Sequence, residues 1–186
     1  SASLSLPDGI GLVFAAFFLH KKSIHRITGN DVVQMIVGIA EQKKYSIYLL
    51  GGDEGVPQKA SEVLKKKFRS LRIAGTYDGS IQDVKNVETG VLENIQMAKP
   101  DILFVALGHG KQERFIFHNL SKFPTVKIAV GVGGALDYLS GAKKRAPKFI
   151  QKIGLEWLYR LIHEPSRIKR IINAVLVFPY LVLRKK

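Results

Sequence analysis

Two kinds of segment alternate along the chain. Ser46–Gly51 (SIYLLG), Leu71–Gly75 (LRIAG), Asp101–Leu107 (DILFVAL) and Val126–Val132 (VKIAVGV) are short aliphatic runs, two of them ending at Gly and the other two followed directly by Gly. Runs this short and this continuously apolar predict parallel strands buried on both faces. Between them, apolar residues recur at helical spacing over Asp31–Lys44, Gly55–Phe68, Val84–Ala98 and Lys111–Ser121, with Asp31 and Asp53 as helix starts. Strands alternating with helices and joined by right-handed crossovers predict an α/β fold, a Rossmann-like, mostly parallel sheet flanked by helices. Ile10–Leu19 is apolar, but no basic region precedes it and no small-residue cleavage site follows, so it reads as a core helix and not a signal peptide.

The pattern changes at Pro147. No strand follows it; Phe149–His163 reads as one amphipathic helix and Glu164–Leu183 as a second, with Pro165 near its first turn. The expected organisation is an α/β domain over residues 1–146 and a helical appendage over 147–186. Within the appendage, Ile171–Leu183 (IINAVLVFPYLVL) is nearly all apolar, is followed by Arg184, Lys185 and Lys186, and is too short to span a bilayer. It suits an interfacial helix with basic anchors, or a helix docked on the core or on another subunit.

In open parallel sheets, ligands bind outside the carboxyl ends of the strands. The segments that follow the four runs are GGDEG (51–55), GTYDG (75–79), GHGKQER (108–114) and GVGGALD (131–137), and they are expected along one edge. GGDEG lacks a Walker lysine and its two carboxylates repel phosphate, so it is assigned a helix-start role. GHGKQER is a better ligand loop. Gly108 admits close approach to the backbone, the following helix offers free N–H groups, and Lys111, Gln112 and Arg114 add donors; a purely structural loop fits the same residues. In GVGGALD, Gly131, Gly133 and Gly134 allow a nucleotide near the backbone, yet the full dinucleotide fingerprint is not met. Nearer the start, PDGIG places Asp8 before a helix, as an N-cap first and as a general base second. His109 has no partner motif for a metal.

Charge adds one point. The formal net charge is +14, and residues 142–186 hold twelve Lys and Arg against two Glu, so most of the surplus lies at the end of the chain. Such a surface attracts polyanions: nucleic acid, anionic headgroups or diphosphates. Arg160, Arg167 and Arg170 fall seven and three residues apart, a spacing that puts them on one face of a continuous helix. Arginine clusters suit bidentate diphosphate binding, and a solvated helix face explains them equally. There is no Cys, which excludes disulfides and thiolate metal sites.

Taken in order, PDGIG, R-x-x-G-x-D (Arg26 to Asp31), YLLGG (48–52), GT-x-x-G (75–79), PDILFVALGHGKQE (100–113), GVGGALDYLSGAKKRAP (131–147) and GLEWLYRLIHEPSRIKR (154–170) resemble the WecG/TagA/CpsF glycosyltransferases from about Pro7 to Arg170. The resemblance implies an inverting, metal-free transfer of N-acetylmannosamine or a related sugar from UDP to a polyprenyl-diphosphate-linked N-acetylglucosamine, in wall teichoic acid or surface polysaccharide synthesis. It implies Asp8 as the base, and Arg26, Asp31, Gly108, Lys111, Gln112, Glu113, Gly131, Gly133, Gly134, Asp137 and Arg145 around the substrates. Arg160, Arg167 and Arg170 match arginines that close over the site and stabilise the leaving diphosphate. It further implies no cofactor, a membrane-binding tail on an anionic surface, a peripheral place on the inner face of the plasma membrane, and a homo-oligomer as one state.

Three departures stand out. The family carries a further segment ahead of PDG, with a Thr and an Asn in the site, so the chain reads as a fragment or a naturally short relative. A pair of His in GT-x-x-G is replaced here by Tyr77 and Asp78, and GAPKQE by GHGKQE. The competing expectations are a weakened remnant that still binds UDP-sugar or membrane, and a basic nucleic-acid-binding α/β protein. The latter lacks the basic and aromatic interleaving of RNA modules.

Overall fold

The computed structural model describes residues 6–8, 10–21, 24–25, 27–79, 81–152, 155–165 and 168–184. The chain divides into two compact units, one of Gly29–Lys144 and one of Ala2–Thr28 with Arg145–Lys186.

The first unit is a four-stranded sheet in the order β2-β1-β3-β4, with every neighbouring pair parallel. Its strands are β1 (Ser46–Leu50), β2 (Arg72–Tyr77), β3 (Ile102–Val105) and β4 (Ile128–Gly131). Its helices are α2 (Gly29–Lys43), α3 (Val56–Lys67), α4 (Thr89–Ala98), α5 (Lys111–Asn119) and α6 (Ala135–Ser140). The continuous apolar runs are explained by burial on both faces. Ile47, Leu49, Ile102 and Phe104 point into a cluster with Val33 and Val37 of α2, Ala60 and Leu64 of α3 and Leu136 of α6. Tyr48, Leu50, Leu103 and Val105 point the other way, onto Val91 and Ile95 of α4 and Phe115 of α5.

At the amino ends of the strands, Asp101 ties three of them together. Its Oδ2 accepts from the Ser46 N–H at 2.9 Å and hydroxyl at 3.0 Å, and its Oδ1 accepts from Lys127 Nζ at 2.8 Å. The hydrogen bond from Lys127, then that from the Ser46 N–H, holds the Asp101 carboxyl below the ordinary carboxylate range.

Several boundaries move. α4 begins at Thr89 and not at Val84, because Asp83 takes hydrogen bonds from the Lys85 N–H and the Asn86 amide and holds a turn there. Asp31 lies inside the first turn of α2, and Asp53 precedes the cap of α3, which is Gly55.

The second unit contains α1 (Ile10–His20), α7 (Lys148–Lys152), α8 (Glu156–His163), α9 (Ile168–Ile172), a π-helical turn (Asn173–Val177) and α10 (Phe178–Arg184). Two expectations change here. The helix expected over Phe149–His163 is two helices, and that over Glu164–Leu183 carries a π-helical turn just before Pro179. A proline has no N–H to continue the ladder, and just before it the Phe178 N–H reaches Asn173 O. α1 belongs to this unit, where its Leu12 and Phe17 are exposed and its packing partners are the π-helical turn and α10. Among the described residues, no helix is long and apolar enough to cross a membrane.

Candidate functional site

The strand order reverses direction between β1 and β3, since β1 has β2 on one side and β3 on the other. Outside the carboxyl ends of such a pair lies the crevice that α/β sheets use for ligands. The four Gly-rich loops line up along that edge, each tied to its neighbour.

From β2 to β1 the tie is Asp78, whose Oδ2 accepts from the Gly55 N–H at 2.8 Å, aided by the Gly79 N–H donating to Gly52 O at 3.0 Å. This fixes the start of α3 and gives GGDEG the helix-start role. From β1 to β3 the loops touch directly: Gly51 lies so close that a Cβ there would meet Ala106 O at 2.9 Å, and its φ is +90°. From β3 to β4 the tie is Gln112, which is 7% exposed. Its Oε1 accepts from the Gly133 N–H at 2.9 Å, and its Nε2 donates to Glu113 Oε1 at 2.9 Å. Gly131 makes room for it, since a Cβ there would stand 2.5 Å from Gln112 Nε2.

Glu113 closes the start of α5 by accepting from the Gly110 N–H at 2.6 Å. Partial burial pushes its carboxyl up, but the hydrogen bonds from Gln112, its own N–H and Gly110 together outweigh this and hold it below the ordinary range. Arg114 turns back to Gly110 O at 3.0 Å, and Lys111 is half-buried at the helix start. Gly134 caps α6, and Asp137 in its first turn pairs with Lys143 at 3.0 Å. Asp31 is half-buried in the first turn of α2. The edge thus brings four Gly-rich loops side by side, with Gln112, Glu113, Asp137 and Asp78 held in the bracing. Among the described residues, no group of three His, Asp or Glu is arranged to hold a metal ion.

In the second unit Asp8 is exposed, and its neighbour Pro7 accepts from the Ile27 N–H at 3.1 Å. Arg145 faces Glu156, with Nε 3.6 Å from Oε1, and donates from Nη2 to Thr28 Oγ1 at 3.2 Å. Glu156 is only 1% exposed, so this guanidinium supports a buried carboxylate. Arg160 is in α8 and Arg170 in α9, so a single continuous helix does not carry both. Their side chains, and Arg26 and Arg167 entirely, lie outside the described residues.

Sequence reasoning did not find Asp78, Asp101 or Glu156. Only Asp78 left a signal, as a departure from a motif; a lone carboxylate in a basic stretch such as Glu156 gives none without coordinates.

The family model described as "Glycosyl transferase WecG/TagA/CpsF family" matches residues 1–186. A Bacillus subtilis (strain 168) relative named N-acetylglucosaminyldiphosphoundecaprenol N-acetyl-beta-D-mannosaminyltransferase is 38% identical over 173 residues, 93% of this chain and 66% of the relative. One of the same name from Bacillus spizizenii is also 38% identical, over 93% of this chain and 65% of its own length. Another of that name, from Staphylococcus aureus (strain MRSA252), is 34% identical over 100% of this chain and 70% of its own. The chain therefore spans about two thirds of the length of these relatives.

Proposed function

The chain belongs to the WecG/TagA/CpsF glycosyltransferase family, and from that premise we propose that it transfers N-acetylmannosamine or a closely related sugar, with inversion, from UDP to a polyprenyl-diphosphate-linked N-acetylglucosamine. The product would enter wall teichoic acid or a similar surface polysaccharide. One observation carries the proposal: the family match covers the whole chain, including all four loops at the carboxyl ends of the sheet's strands.

In this scheme the acceptor hydroxyl attacks the anomeric carbon of the donor. Asp8 takes the hydroxyl proton as the new C–O bond forms, and the bond to UDP breaks with its electron pair leaving on the diphosphate. The loops at Gly108–Gly110 and Gly131–Gly134, with Lys111 at the start of α5, are assigned to the donor, the Gly110 and Gly133 N–H groups being engaged by Glu113 and Gln112. Gln112 and Glu113 hold those loops apart at a fixed spacing, which supports a positioning role for both. Arg26 and Asp31 are assigned to the donor as well. Arg160, Arg167 and Arg170 are assigned to the developing charge on the leaving diphosphate, where fixed cations help most. Arg145 supports the second unit through Glu156.

The scheme includes a peripheral place at the inner membrane face, beside a lipid-linked acceptor. Its support is the exposed apolar set Ile162, Ile168, Ile172, Tyr180 and Leu181, with a basic end to the chain. A homo-oligomer is kept as a second state of the same scheme.

The deciding assay measures sugar transfer from labelled UDP-N-acetylmannosamine to a lipid-diphosphate N-acetylglucosamine acceptor. Asp8→Asn is expected to lower turnover at least ~100-fold; equal turnover removes Asp8 from the role of base. Arg167→Ala is expected to slow transfer without weakening acceptor binding, and an unchanged rate discards the arginine role.

A further inference from the structure

Within the second unit an open groove of about 440 Å³ runs along α1, in the size range of sites for small organic ligands. Leu12, Ala16 and Leu19 share one stripe of α1 at helical spacing, and Phe178 and Val182 of α10 face them at i,i+4. Pro7 completes one end. Every described residue lining the groove is apolar.

The groove has a structural cause. Gly11 packs so tightly that a Cβ there would lie 2.5 Å from Ala174 O and 3.3 Å from the Phe178 ring. That contact holds α1 against the π-helical turn. The turn re-aims the residues after it, which sets Phe178 and Val182 opposite the stripe. Ala16, a small side chain, then leaves the space that a larger one would fill.

Resting on the activity proposed above, we propose that this groove holds the first isoprene units of the lipid acceptor. Three observations select that occupant. The apolar side chains that line it among the described residues suit a hydrocarbon chain and not a headgroup or a nucleotide. Pro7, at the end of the groove, is the residue before Asp8, so the chain enters beside the carboxylate that takes the acceptor's proton. The Leu12–Leu19 stripe runs about 10 Å, a length for two or three isoprene units, not for a whole membrane leaflet.

The test uses the full chain and N-acetylglucosamine diphosphate acceptors carrying a methyl group or one, two, three or four isoprene units, studied below micelle formation. Equilibrium binding is expected to tighten roughly tenfold with each of the first two or three units and then level off. Ala16→Phe, which fills the groove from α1, and Val182→Trp, which fills it from α10, are each expected to flatten that dependence to within about twofold while thermal unfolding remains cooperative. A diazirine on the second isoprene unit is expected to label residues 12–19 or 178–182.

Binding independent of chain length in the unmodified protein, or labelling confined to other segments, overturns the proposal. So does the case where both filled variants keep the chain-length gain but lose sedimentation with phosphatidylglycerol vesicles, because the groove is then a membrane-facing surface. The two proposals fail separately. Chain-length-dependent binding without sugar transfer rejects the activity and keeps the groove; transfer at a rate indifferent to chain length does the reverse.

Discussion

Gln112 shows how much one amide can do at the carboxyl edge of the sheet. It joins the loop after β3 to the loop after β4, and both of its terminal atoms are in use. Gln112→Ala leaves the Gly133 N–H without that acceptor, at a cost of about 1–3 kcal/mol. The expected result is a lower urea midpoint with an unchanged slope. Gln112→Glu is nearly isosteric but sets a second carboxylate against Glu113, so it is expected to lose stability more at neutral than at acid pH. On the opposite edge, Asp101 sets a pH dependence of its own. Its folded pKa is depressed, so its contribution is present in full above the unfolded value and is lost as pH falls through the folded one. An Asp101→Asn variant is therefore expected to be less stable than the parent at neutral pH, with the gap closing progressively as pH falls below the ordinary carboxylate range. A constant gap across that range in denaturation experiments refutes the assignment.

At the level of elements, the strands were the most legible part of the sequence. A run such as SIYLL must bury both faces, and it does so in the centre of the sheet. The turn at Asp83 was hidden because Val84 and Val91 are both buried and mimic a helical stripe; only the side-chain hydrogen bonds of Asp83 reveal where the helix cannot start. The tail was misread for the same kind of reason. Apolar spacing said helix, correctly, but was blind to the break between α7 and α8 and to the π-helical turn before Pro179. The glycines of the candidate site were visible in the sequence, whereas the carboxylates and the amide that fix them were not, because bracing depends on which loops lie side by side. One consequence is testable on α10. Pro179→Ala restores an N–H and lets the ladder close without the extra residue. Ellipticity at 222 nm is expected to rise, and acceptor binding to lose its gain from longer chains, since Phe178 and Val182 then face elsewhere.

For the molecule as a whole, the sheet unit is continuous in sequence and the other unit is assembled from the two ends of the chain. Removing residues 145–186 takes away the segment on which α1 packs and leaves the apolar stripe of α1 bare. Such a truncation is expected to associate or precipitate. A shorter chain of residues 29–144 keeps both faces of the sheet covered and is expected to unfold in one cooperative transition. Light scattering and thermal melts of the two versions check this, and the idea fails if they behave alike.

The contact of Gly11 with Ala174 also has a temporal side. A ribosome makes α1 before its partner, with the whole sheet unit polymerised in between. At ordinary elongation rates that interval is on the order of ten seconds. Throughout it, an oily nascent helix stands without its mate, so a chaperone or a nearby bilayer has time to claim it before that mate is made.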